Sequence, residues 1–78
     1  MFVFEYRHSG RFLSATDKRV KPYKQSIGTR RILMYDDLSD ATFEFWKRQC
    51  NPDDFEIVEL EPFQVKARYT HRGRRKEA

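Results

Sequence analysis

Apolar and polar side chains alternate from the first residues. In MFVFEYR, Phe2, Phe4 and Tyr6 fall on one side of an extended chain and Glu5 and Arg7 on the other, which predicts a strand. Ser9 and Gly10 suit a tight turn because glycine accepts positive φ. RFLSAT then reads as the returning strand, so residues 2–16 form a β-hairpin. The pattern breaks over DKRVKPYKQSIGT, residues 17–29, where Pro22 and Gly28 sit among bases with no sustained apolar period. That is a long basic loop. RRILMY restores a continuous apolar run, Ile32 to Tyr35, and predicts a third strand of the central or doubly buried kind.

The period then changes from two to 3.6. In DDLSDATFEFWKRQC, Leu38, Ala41, Thr42, Phe45, Trp46, Gln49 and Cys50 fall in one helical arc, with Phe43 at its edge. Asp40, Glu44, Lys47 and Arg48 occupy the opposite arc. Asp37 or Ser39 can cap the first amides, and Asn51 with Pro52 ends the helix. FEIVELE reads as a strand whose alternation slips: Phe55 and Ile57 share one face, Val58 and Leu60 the other. Either a bulge lies near Ile57 and Val58 or both faces are covered. After Pro62, Phe63, Val65, Ala67 and Tyr69 alternate with Gln64, Lys66, Arg68 and Thr70, giving a basic-faced strand or a continuation of the previous one across a kink. THRGRRKEA has no apolar anchor, which predicts disorder.

These elements predict an α+β fold: a small antiparallel sheet of three to five strands, order ββ-β-α-β, with one amphipathic helix packed on one face. Residues 1–70 form a single domain that includes the loop at 17–29, and residues 71–78 a basic disordered tail. A lone helix covers one face of the sheet, so the other is expected to be wet or to meet a partner.

Composition adjusts this picture in two ways. Twelve aromatic residues among 78 let a short chain build a core without disulfides, and the single cysteine, Cys50, fits a reducing cytoplasm. No apolar run is long enough for a membrane span. The net charge of +4 also conceals a basic–acidic–basic layout. Residues 1–31 carry eight bases and two acids, residues 32–62 two bases and nine acids, and residues 63–78 six bases and one acid.

Catalytic material is sparse. Cys50, His8 and His71 are the obvious nucleophile and base candidates, and Cys50 reads better as a small core thiol at the helix end. The aspartates of YDDLSD and NPDD lack calcium-loop spacing and read as caps and turn residues. A non-enzymatic protein with no cofactor and no metal is expected.

Two charged surfaces are candidate binding sites. The first is an acidic strip, Asp53, Asp54, Glu56, Glu59 and Glu61, able to dock on a cationic partner protein. The same acids could instead face Lys66, Arg68 or another basic strand across the sheet. The second is basic. Lys18, Arg19, Lys21, Tyr23, Lys24, Arg30 and Arg31 precede the helix, and Lys66, Arg68, Arg72, Arg74, Arg75 and Lys76 close the chain. Cations interleaved with tyrosine can contact phosphates and stack on bases.

The stretch YDDLSDATFEFWKRQCNPDDFEIVELEP, residues 35–62, resembles the second half of the small T7-type bacteriophage inhibitors of host RNA polymerase. Tyr35, Asp40, Glu44, Gln49, Pro52, Phe55, Glu56 and Pro62 carry the likeness, with Ile57 in place of another β-branched residue. The resemblance implies a small sheet crossed by one helix, in a phage-encoded protein that acts in the bacterial host cytoplasm and blocks promoter opening. Where that family grips the polymerase with strand arginines, this chain has Glu59 and Glu61, so the contact residues do not carry over. The expected function is a phage-type effector that binds and inhibits a host protein, with bacterial RNA polymerase the leading partner. The alternatives are a sequence-nonspecific RNA- or DNA-binding module and an accessory subunit of an oligomer.

Overall fold

A computed structural model of the chain describes residues 1–14, the strand at 27–28, residues 32–61 and residues 64–76. Its strands are β1 (Phe2–Tyr6), β2 (Phe12–Leu13), β3 (Ile27–Gly28), β4 (Phe55–Glu61), β5 (Gln64–Tyr69) and β6 (Arg75–Lys76), and its helix is α1 (Leu38–Lys47). The strands form one antiparallel sheet in the order β3-β2-β1-β4-β5-β6. The α+β class, the small antiparallel sheet and the one helix among the described residues are as the sequence pattern predicts. Two-residue strands at both edges extend the sheet beyond the longer strands that alternation reveals.

β1 and β4 make its centre, paired from Phe2 opposite Glu59 to Tyr6 opposite Phe55. The β1–β2 turn closes where Gly10, at φ 72°, donates to the Tyr6 carbonyl at 2.9 Å. α1 begins at Asp37, whose Oδ1 accepts from the Ser39 amide at 2.9 Å. It ends before Asn51 and Pro52, which were expected to stop it. Gln49 adopts φ 56°, and the amides of Cys50 and Gln49 bond back to the carbonyls of Phe45 and Trp46. That pair of bonds is a Schellman motif, so the helix stops by satisfying its own last carbonyls.

Phe4, Leu13, Ala41, Phe45, Cys50, Phe55 and Ile57 make the core between α1 and the sheet. Phe4 meets Phe45 edge to face at 5.2 Å and Tyr35 at 5.4 Å, so three aromatic rings join the helix, β1 and the segment before the helix.

Several expectations need correction. The face opposite the helix is not simply wet: Val3 and Val58, paired across β1 and β4, are both 0% exposed. The mixed pattern of FEIVELE therefore reflects burial on both faces. The irregularity also lies further along, between Glu59 and Leu60, where Ala67 and Val65 oppose them and leave Lys66 as the extra residue of β5. The bulge puts Val65 and Ala67 on opposite faces, and Val65 is exposed rather than inward.

In the run read as a third strand, residues 32–35 supply single bridges instead. Ile32 bridges Ser14, and Tyr35 bridges Phe2 with backbone bonds of 2.7 and 2.9 Å. The segment touches the sheet at two separate points and leaves Met34 exposed. Within the segment read as loop, Ile27 and Gly28 pair with β2. Finally, residues 71–76 are not a disordered tail. They turn at Gly73 and return as β6, with Tyr69 opposite Arg75 and Arg68 opposite Lys76.

Candidate functional site

The acidic strip is divided among different surroundings. Asp53 and Asp54 belong to a turn in which the Asn51 carbonyl accepts from Asp54 and Phe55, and Asn51 Oδ1 accepts from Asp53, each at 2.9 Å. Asp54 Oδ1 lies 2.8 Å from His8 Nε2. Glu56 is 9% exposed on the face away from the helix, 3.5 Å from Arg68 and 3.4 Å from Lys76. Glu59 pairs opposite Phe2 on the helix face and accepts from the Tyr69 hydroxyl at 2.8 Å. Glu61 pairs with Lys66 at 3.0 Å. The strip is therefore not the free anionic ridge the sequence suggested, because four of its five carboxylates already have partners within the fold. The alternative weighed beside it, pairing with Lys66 and Arg68 across the sheet, describes Glu56 and Glu61.

These contacts shift the partners' protonation in a consistent direction. The hydrogen bond to Glu59 pushes the Tyr69 phenol above its ordinary value, with burial adding and the Arg75 charge pulling back. Glu61 beside Lys66 holds that ammonium protonated to higher pH, and Glu5 does the same for Arg68. Burial raises Tyr35, partly offset by Arg48.

The basic candidates divide as well. Lys18, Arg19, Lys21, Tyr23, Lys24, Arg30 and Arg31 lie outside the described residues. Lys66, Arg68 and Lys76 are engaged by carboxylates. Arg72, Arg74 and Arg75 are exposed and have no carboxylate partner among the described residues.

Arg72 and Arg74 stand in the turn of the β5–β6 hairpin and Arg75 opens β6 beside it; the shape of this tip follows from its sequence. Gly73 sits at φ 83° and donates to the Thr70 carbonyl at 2.9 Å. The Thr70 amide donates to the Arg74 carbonyl at 2.8 Å, and Thr70 Oγ1 accepts from the Arg74 amide at 3.1 Å. The tip leans on the helix. A Cβ on Gly73 would lie 2.9 Å from Thr42 Cγ2, and the His71 ring stands 6.2 Å from Phe45. Thr70, His71, Arg72 and Arg74 line an open depression of about 440 Å³.

The helical arc misplaced one residue of consequence. Trp46 was expected among the core positions and is 74% exposed, with Phe43 57% exposed beside it. Their ring centroids are 6.1 Å apart. The buried stripe of α1 is narrow, confined to Ala41 and Phe45 with Leu38 packed beside them, and Trp46 lies beyond it. The signal available in the sequence was the width of the apolar arc, too broad for one short helix to bury in full.

Among the described residues no group of three or more His, Cys, Asp or Glu is placed to hold a metal ion. No helix among them is long and apolar enough to cross a membrane. Comparison with protein-family models, curated proteins and solved structures finds no match to this chain.

Proposed function

We propose that this chain is a non-enzymatic module that binds nucleic acid without strict sequence preference, through the tip of its β5–β6 hairpin. The observation that carries the reading is how charge is sorted. The cations on β5 and β6 that lie beside carboxylates are used within the sheet, whereas Arg72 and Arg74 in the hydrogen-bonded turn and Arg75 at the start of β6 have no carboxylate partner among the described residues. Guanidinium groups recognise phosphate in forked geometry, and backbone phosphates need no base readout. The depression between Thr70 and Arg74 is of a size that takes a nucleotide.

Binding of this kind is dominated by counterion release, so it weakens steeply with salt. A fluorescein-labelled single strand, titrated by anisotropy at rising salt, tests it. Salt-sensitive binding with a dissociation constant of about 1–100 µM near physiological ionic strength is the expected result. No binding even at low salt would overturn it.

A second reading keeps the resemblance to T7-type polymerase inhibitors. One helix across a small antiparallel sheet is the fold that resemblance implies. The acidic strip offers little free charge for such a contact, so an effector of this kind would present the arginine tip to an acidic surface of the host polymerase. Stoichiometric capture of the polymerase from nuclease-treated bacterial lysate is its expected result, and no capture would remove it.

A further inference from the structure

We infer that Phe43 and Trp46 form a base-stacking platform beside the arginine tip, which makes the module selective for single-stranded over double-stranded nucleic acid. This rests on the nucleic-acid reading and adds a ligand class to it.

The placement comes from three contacts on one flank of the helix. Gly73 packs against Leu38 and Thr42, and His71 lies beside Phe45. Phe43 and Trp46 follow Thr42 and Phe45 in the chain, so each lies about 100° further round the helix, toward solvent. The aromatic pair thus borders the flank on which the hairpin tip rests. Lys47, one turn after Phe43, is exposed and puts a cation on the far side of the pair.

The chemistry selects the occupant. The two rings are 6.1 Å apart and tilted by 46°, neighbours on one surface rather than a closed face-to-face stack. Every base offers a π face to such a surface, and each phosphate joining the bases offers a charge to the tip. A duplex meets the second requirement and hides its base faces in its own stack. A purely apolar partner would use the rings and make no use of the charge on Arg72 and Arg74.

Trp46 is the sole tryptophan, so its emission reports on this surface alone. Titration with oligo(dT) or oligo(U) is expected to quench it, and a duplex is expected to leave it nearly unchanged. F43A and W46A should each weaken single-strand binding by about 5- to 150-fold, read by anisotropy of labelled oligonucleotide, without changing the salt slope. W46F, which keeps a ring, should recover most of the loss, and circular dichroism checks that each variant folds. Undiminished binding by W46A, with salt dependence intact, would overturn the platform and leave the nucleic-acid reading standing. Absence of binding by the unsubstituted chain at low salt would overturn both. Capture of host polymerase that W46A abolishes while oligonucleotide binding is unaffected would assign the rings to a protein partner and overturn the platform.

Discussion

Arg68 Nη1 lies 2.8 Å from Glu5 Oε1, reaching over β4 to a carboxylate on β1. The contact matters because Glu5 stands directly opposite Glu56, and like charges so placed repel. Arg68 also approaches Glu56 at 3.5 Å, and Lys76 adds a second cation at 3.4 Å. Two acids and two bases thus form a neutral cluster across β1, β4, β5 and β6.

Arg68→Met keeps much of the side-chain stem and removes the charge. It leaves the two glutamates facing each other, with Glu56 nearly buried. Breaking a fully buried pair costs about 3–5 kcal/mol, and the partial exposure of Arg68 reduces that to about 2 kcal/mol. Urea denaturation measures it. A loss under about 0.5 kcal/mol would show that the cluster is ordinary surface charge.

Alkaline pH should act through Tyr69 and Tyr35. Both phenols are raised above the unfolded value of 10.0, Tyr69 chiefly by donating to Glu59 and Tyr35 by burial. Above that value the unfolded chain releases protons that the folded chain keeps. Their contribution is therefore complete below about pH 10 and is lost as pH rises through the folded values. Urea midpoints should fall in this range, and fall less steeply in Tyr69→Phe, which has no proton there to lose. Equal slopes would contradict the Tyr69 assignment.

Gln49 occupies the left-handed conformation at the end of α1, where a side chain is strained and glycine is not. Gln49→Gly should stabilise the chain by about 1 kcal/mol, read as a higher thermal midpoint. Destabilisation would show that the Gln49 side chain makes a contribution greater than the backbone strain.

The positive-φ glycines Gly10 and Gly73 should differ. Alanine at Gly10 meets only backbone strain, with nothing within 4 Å, and should cost about 1 kcal/mol. Alanine at Gly73 adds a 2.9 Å approach to Thr42, so it should cost more and also weaken oligonucleotide binding by displacing the tip. Equal losses of stability would mean that the tip does not rest on the helix.

Local rules made much of this fold readable. Asp37, the 3.6-residue period and the glycine at position 10 each act through near neighbours, and the helix and first hairpin follow from them. Pairings between distant segments were harder to read. Val58 shows its burial only once β1 lies beside it, and Glu56 looks solvent-facing until Arg68 and Lys76 arrive from two other strands. The arginine-rich end looks unstructured because its order comes from pairing Arg75 with Tyr69 and resting Gly73 on Thr42, neither of which leaves an apolar signature. For the candidate site, the basic residues of the tip are legible as charge, while the helical period puts Trp46 in the core-facing arc and Phe43 only at its edge. Alternation cannot tell which edge of a broad apolar arc the sheet will cover.

Anisotropy titration of a labelled single strand, comparing the unsubstituted chain with Arg72→Gln/Arg74→Gln/Arg75→Gln over a range of salt, tests the central claim most directly. If the tip neutralises three phosphates, the slope of log affinity against log salt should shrink by about 2 in the variant, with affinity falling at every salt concentration. Identical slopes and affinities for the two proteins would contradict the account.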